Sequence, residues 1–234
     1  MVTKSSHAQG SKPSYIGHRA RLRDRFSQAQ GVGLADYELL ELLLFLAIPR
    51  GDVKPLAKSL LKKFGSLAAL LKADRGLILE TPGVGLGVLH VIQLMQALVG
   101  TVLQQKMMSK PILTSCQSVL DYCHATMAYD QRETVRLLFL DRKNQVIADE
   151  IQQTGTVDHA PLYPREVVKR TLELGASALI IVHNHPSGDP TPSRGDIEMT
   201  LKVQQAASSL GIEVHDHFII GKGRHSSLRS MGLM

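Results

Sequence analysis

The sequence predicts an all-helical N-terminal domain followed by an α/β (α+β) domain. Three observations carry this. Apolar residues up to about Met107 recur at helical spacing with no convincing strand. Beyond Ile112, strand-like runs alternate with helical ones. The charge also changes: residues 1–107 hold 14 Lys and Arg against 7 Asp and Glu, and residues 108–234 hold 13 against 14. At roughly 100–200 residues per domain, a chain of 234 residues can hold two small domains.

Residues 1–14 are polar and rich in Ser, Lys and Gly, and read as a disordered tail. In the helical domain, 15–107, Asp36 is placed to cap a helix through Leu44. Asp52 is placed to cap a second, with Leu56, Leu60 and Leu61 on one face and Gly65 as its stop. Ser66 starts a short helix through Leu71. The segment Leu77–Glu80 leads into Thr81-Pro82-Gly83-Val84-Gly85, and a long apolar helix runs from about Leu86 to Gln105. Lys106–Pro111 reads as a linker. In the second domain, 112–234, a helix is expected over Ser115–Met127. Strands are expected over Val135–Leu140, Val146–Ile151, Ala178–His183 and Glu213–Ile220. Helices are expected over Pro164–Leu174, with Pro at the first position and Gly175 as the stop, and over Ser193–Leu210.

Composition excludes several classes. With 44% hydrophobic and 21% charged residues the chain is ordinary for a globular protein. The stretch Leu39–Ile48, interrupted by Glu41, is about half of the ~20 residues a bilayer span needs, so no transmembrane helix and no membrane partner are expected. The N-terminus has no apolar secretory core. Two cysteines without a CxxC pair point to the reducing cytoplasm. Absence of Trp and only 4% aromatics argue against a base-stacking single-strand binder. The net charge of +6, all of it from the N-terminal half, suits a polyanion such as nucleic acid, or simply a solvated surface.

The most informative segment is Ile180-Ile181-Val182-His183-Asn184-His185, followed by a Pro/Gly/Ser loop to Ser193 and Asp196. Residues two apart in an extended chain point the same way, so both imidazoles can aim at one point beyond the strand. Asp196, in the first turn of the next helix, can return to that point. Two imidazoles and a carboxylate are a usual protein ligand set for a catalytic zinc, which lowers the pKa of its water to near 7. The competing reading is a capping box, with Ser193 at the N-cap and Asp196 three residues on.

His-x-His, seven residues, Ser, two residues, Asp resembles the JAMM motif of MPN-type metalloproteases. The full wording His183-Asn184-His185-Pro186-Ser187-Gly188-Asp189-Pro190-Thr191-Pro192-Ser193-Arg194-Gly195-Asp196 resembles the RadC family of bacterial proteins. Pro164-Arg165-Glu166, Asp216-His217 and Ile219-Ile220-Gly221 extend the similarity over about residues 112–234. The N-terminal half resembles, more loosely, the helical domain that precedes this module in longer RadC proteins. The resemblance implies an MPN/JAMM-like, cytidine-deaminase-like fold. It implies Zn2+ held by His183, His185 and Asp196, with Ser193 supporting the tetrahedral intermediate. It also implies hydrolysis of a peptide or isopeptide bond in a protein or peptide substrate, with an upstream Glu as general base. Glu133, beside an early strand, is the preferred base; Glu150 and Glu166 are its rivals. A base is needed because amide cleavage requires a proton on the leaving nitrogen.

Two further segments carry expectations. In His215-Asp216-His217, strand alternation puts the two histidines on one face, where a second metal is conceivable, and Asp216 is the candidate to orient a ligating histidine. His159 and His225 read as solvated. Thr81–Gly85 resembles the turn of a helix-hairpin-helix module. There Gly83 and Gly85 allow a tight turn whose N–H groups can hold a DNA phosphate, or the turn simply packs two helices. No Lys or Arg follows it until Lys106, a departure that weakens the DNA reading. A DNA-associated repair or recombination protein is the alternative to a zinc metalloprotease.

Overall fold

The computed structural model describes residues 17–109, 111–112, 116–154 and 162–234. The expectations for the 1–14 tail and for His159 lie outside the described residues. The contacts divide the described residues into two compact units: one takes those up to Leu70 with Asp74–Gln93, the other Leu71–Ala73 with those from Leu94 on.

The first unit is helical: α1 (His18–Ala29), α2 (Asp36–Ala47), α3 (Lys54–Phe64), α4 (Leu67–Leu71), α5 (Arg75–Leu79) and the start of α6 (Leu86–Met108). Leu22, Leu40, Leu44, Leu60, Ile78 and Leu89 are buried in it. Ser66 Oγ accepts the Ala69 N–H at 3.1 Å, as an N-terminal cap does. Asp52 falls one residue short of its expected place: Val53 is the N-cap of α3, and Asp52 Oδ1 accepts the Lys54 N–H at 2.9 Å from just outside the helix. α2 departs from expectation. Asp36 is its first helical residue rather than its cap, and the Glu38 carboxylate instead accepts the Ala35 N–H at 3.1 Å. Glu41 is fully buried, against His18 Nε2 at 2.7 Å.

The composition places a linker at 106–111, but the units part inside α6, between Gln93 and Leu94. An uninterrupted apolar helix supplies Val88, Leu89 and Ile92 as buried residues at one end and Met107 at the other. Among the described residues, α6 is also the one helix long and apolar enough to cross a membrane, with 23 residues and a mean hydropathy of 1.8 over its best window. The expectation drawn from Leu39–Ile48 overlooked it. Only 17% of that window is buried, and Leu94, Leu98 and Val102 are exposed.

The second unit contains α7 (Cys116–Met127), β1 (Thr134–Leu140), β2 (Val146–Thr154), α8 (Pro164–Glu173), β3 (Ala178–Asn184), α9 (Arg194–Ser208), β4 (Glu213–Ile220) and β5 (His225–Ser227). The described strands form one sheet of order β2-β1-β3-β4-β5. β1 is antiparallel to both β2 and β3, β3 runs parallel to β4 with α9 as the crossover, and β5 is antiparallel to β4. β3 is buried along its whole length, which explains its unbroken apolar run. Ile180 and Val182 join a core with Val119, Cys123 and Met127 of α7. Leu179 and Ile181 join the opposite core with Val167 of α8 and Val203 and Ala207 of α9. Both cysteines are free thiols, and burial pushes Cys123 up to about 12.

A polar cluster sits within this packing. Arg136 pairs with Asp149 at 2.5 Å, with side chains 11% and 3% exposed. Tyr122 Oη donates to Asp149 at 2.5 Å and accepts from Arg136 at 2.7 Å, and Gln104 Nε2 donates to Asp149 at 3.1 Å. One carboxylate thus satisfies three donors. Asp149→Ala leaves the Arg136 charge uncompensated and is expected to cost about 3–5 kcal/mol in urea unfolding; a loss below ~1 kcal/mol would show that the pair is solvated.

Candidate metal centre

The site forms where β3 ends. Leu179 and Ile181 face the α8/α9 core, and His183 continues that face, only 1% exposed. The chain then turns through residues 185–190 against the end of β4. His185 N donates to Ile220 O at 2.9 Å, and Lys222 N donates to Gly188 O at 3.2 Å. Gly188 has φ +88°, which favours glycine, and a methyl at Gly221 would strike the Gly188 carbonyl oxygen. The loop delivers Ser193 as N-cap of α9.

His183 Nε2 lies 2.9 Å from His185 Nε2 and 3.4 Å from Asp196 Oδ1, and His185 Nε2 lies 3.5 Å from Asp196 Oδ2. Among the described residues these three form the one group of ligand-type side chains close enough to share an ion. The capping box is present as well: Ser193 N donates to Asp196 Oδ2 at 2.7 Å, and Asp196 N donates to Ser193 Oγ at 3.1 Å. The two readings of this spacing coexist, because Asp196 Oδ1 has no part in the cap.

Each ring is held by its other nitrogen. His185 Nδ1 donates to the Asp189 carbonyl at 2.7 Å, which turns its Nε2 towards His183 and Asp196. His183 Nδ1 lies 2.6 Å from His217 Nε2. Burial pushes His183 down to about 4. His185 is raised, chiefly by its contact with Asp196, then by the Asp189 carbonyl and, more weakly, by the charge of Glu133. Burial opposes ionisation of Asp196, but His185, His183 and Ser193 outweigh it and hold the carboxyl well below the usual range. The cluster therefore turns His183 Nε2, His185 Nε2 and the Asp196 carboxylate to one point, with a proton on His185 favoured beside the carboxylate. Atoms held tetrahedrally about a zinc at about 2.0–2.2 Å lie about 3.3–3.6 Å apart; the spacings to the two Asp196 oxygens, 3.4 and 3.5 Å, fall in that range, and the 2.9 Å between the ring nitrogens is shorter.

Glu133 lies just before β1. β1 and β3 pair Val135 with His183, so continuing the register sets Glu133 opposite His185, consistent with its effect on that ring. Asn184 fixes the backbone on both sides of Glu133: Thr134 N donates to Asn184 Oδ1 at 2.9 Å, and Asn184 Nδ2 donates to Arg132 O at 3.1 Å. The rivals are engaged elsewhere. Glu150 takes Arg170 Nε at 2.9 Å and Nη2 at 2.6 Å, and Glu166 is paired with the neighbouring Arg165 at 3.2 Å.

A family model described as a RadC-like JAB domain matches residues 113–233, just over half of the chain. The chain belongs to the RadC-like JAB domain family. In this RadC-like domain the second histidine pair is arranged otherwise than alternation predicts. The β3–β4 register shifts between Leu179 and Ile180, which pair with Val214 and Asp216, so His215 is the extra residue of a bulge. His215 turns to Asn144 Oδ1 at 2.6 Å, while fully buried His217 faces His183. The two histidines share no site, so the second-metal expectation falls. Asp216 does not orient a ligand either. It accepts from Ser227 Oγ at 2.6 Å and Arg229 N at 3.1 Å. His217 occupies the place expected of Asp216, and its Nδ1 meets Thr200 Oγ1 at 2.6 Å. Thr200 is legible as the i+4 neighbour of Asp196 on α9, whereas His217, which pairs with Ile181 and reaches His183 only through the shifted register, is not. His225 is exposed, with its ring edge towards His124.

Asn184→Ala strips partners from the Thr134 N–H and the Arg132 carbonyl. The expected loss is about 1–3 kcal/mol of unfolding free energy, with amide exchange accelerated at Thr134. Unchanged exchange there would show that Asn184 does not hold the Glu133 segment.

Proposed function

We propose that this RadC-like protein is a zinc-dependent hydrolase that cleaves peptide or isopeptide bonds in a protein or peptide substrate in the cytoplasm. One observation carries the reading: a ring nitrogen of His183, a ring nitrogen of His185 and a carboxylate oxygen of Asp196 converge on one point at the end of β3. His183, His185 and Asp196 would hold the metal. Among the described residues the group has three members, as catalytic zinc sites do, whereas structural sites close with four. When bound, zinc acidifies a water to near-neutral pKa and polarises a carbonyl.

The chain's own residues supply the rest. Glu133, opposite His185, takes the water proton and passes it to the leaving nitrogen. Ser193 Oγ accepts the Asp196 N–H, so its own hydrogen is free to donate to the oxyanion developing on the substrate carbonyl. The buried His183 and the capped Asp196 stay fixed through the reaction, which limits reorganisation.

A second reading concerns the helical unit. α5 and α6 are joined by the turn Thr81–Gly85, with Gly83 at φ +89°, the backbone a tight helix-hairpin-helix turn needs. Gly83 and Gly85 would present N–H groups to a DNA phosphate, with binding that weakens steeply as salt rises.

Metal content tests the hydrolase reading. Protein purified without chelator should hold about one zinc per chain, lost in His183→Ala/His185→Ala. Glu133→Gln should keep the metal and lower cleavage in a peptide and isopeptide screen by roughly 10²–10⁴-fold. No stoichiometric metal, even after adding zinc, overturns the hydrolase reading.

A further inference from the structure

The ligand pair is backed by two buried residues that neither the family match nor the motif assigns. Thr200 Oγ1 lies 2.6 Å from the Asp196 carbonyl oxygen and 2.6 Å from His217 Nδ1. His217 Nε2 lies 2.6 Å from His183 Nδ1. Thr200 and His217 are both fully buried.

The polarity of this chain follows from its first atom. A backbone carbonyl only accepts, so the Thr200 hydroxyl hydrogen goes to Asp196. The contact with His217 Nδ1 must then be an N–H donating to the hydroxyl oxygen. A neutral imidazole has one N–H, so His217 Nε2 is an acceptor and His183 Nδ1 donates to it. That leaves His183 Nε2 as a bare lone pair, facing His185 and Asp196. The opposite polarity would put two acceptor oxygens 2.6 Å apart and turn an Nε2–H towards the ion position.

We propose that Thr200 and His217 are positioning residues of the metal centre: the relay from the Asp196 carbonyl through Thr200 and His217 locks His183 in the tautomer that can ligate. The relay starts on the main chain of Asp196 and ends 3.4 Å from its side chain, so one residue anchors both the ligand and its orientation. The proposal rests on the metal-centre reading given above.

The test uses the full chain with Thr200→Val, which removes the hydroxyl at nearly constant shape, and Thr200→Ser, which keeps it. Competition against a chromophoric chelator should show zinc bound roughly 10–100-fold more weakly by Thr200→Val, with Thr200→Ser at wild-type affinity. Nitrogen-15 spectra of the histidine rings in metal-free wild type should place the proton of both His183 and His217 on Nδ1. Equal zinc affinity in a folded Thr200→Val, or an Nε2–H on His183, overturns the relay. If Thr200→Val does not fold, the Thr200→Ser affinity and the wild-type spectra decide. Failure of the wild type to take up zinc overturns the metal reading itself, and the ring spectra, which need no metal, still decide the relay.

Discussion

Two ring lone pairs and a carboxylate repel one another, and burial makes the repulsion worse because little water is there to screen it. His183, His185 and Asp196 nevertheless meet within 3.5 Å. Such a meeting is stable only with positive charge among the three, supplied by a proton or by a metal ion. The raised pKa of His185 and the depressed one of Asp196 are that demand expressed through protons. The elements around the site keep the three acceptors from escaping it.

The confinement is built from strand register. β3 lies between β1 and β4, so its last residues are held from both sides. The antiparallel pairing with β1 sets Val135 opposite His183, two residues after Glu133, and the parallel pairing with β4 sets His217 opposite Ile181, from where its ring reaches His183. A slip of one residue in either pairing would turn these side chains to the α7 face. Asn184 guards the β1 side by bonding the backbone around Glu133. The bulge at His215 adjusts the β4 side, since without it His217 would fall out of phase with His183.

Much of this was legible where a single local rule decides. Pro164 opens α8 and Gly175 follows it at φ +64°, and β4 spans Glu213–Ile220 as its apolar pattern requires. The meeting of His183, His185 and Asp196 follows from period-two geometry and a short loop. What was not legible depends on pairing between distant segments. A bulge leaves no mark in composition, so His215 and His217 look equivalent and Asp216 looks the better partner. The buried Glu41 reads as a break in an apolar run until His18, 23 residues away, is seen against it. α6 reads as one domain's last helix, yet an unbroken helix can carry buried residues for two cores.

The double use of Asp196 explains why a capping box and a ligand site occupy the same residues. A helix N-terminus offers free N–H groups and a partial positive charge, both of which favour an ionised carboxylate. Oδ2 accepts the Ser193 N–H, which sets the side-chain torsion and aims Oδ1 at His183. The cap therefore serves the site: it fixes the direction of an oxygen that a free aspartate would wander from. Ser193 completes the exchange through its oxygen and keeps its hydrogen to donate. A cap made by any other pair could terminate the helix, but only a carboxylate at the third position leaves a second oxygen to spend outside it.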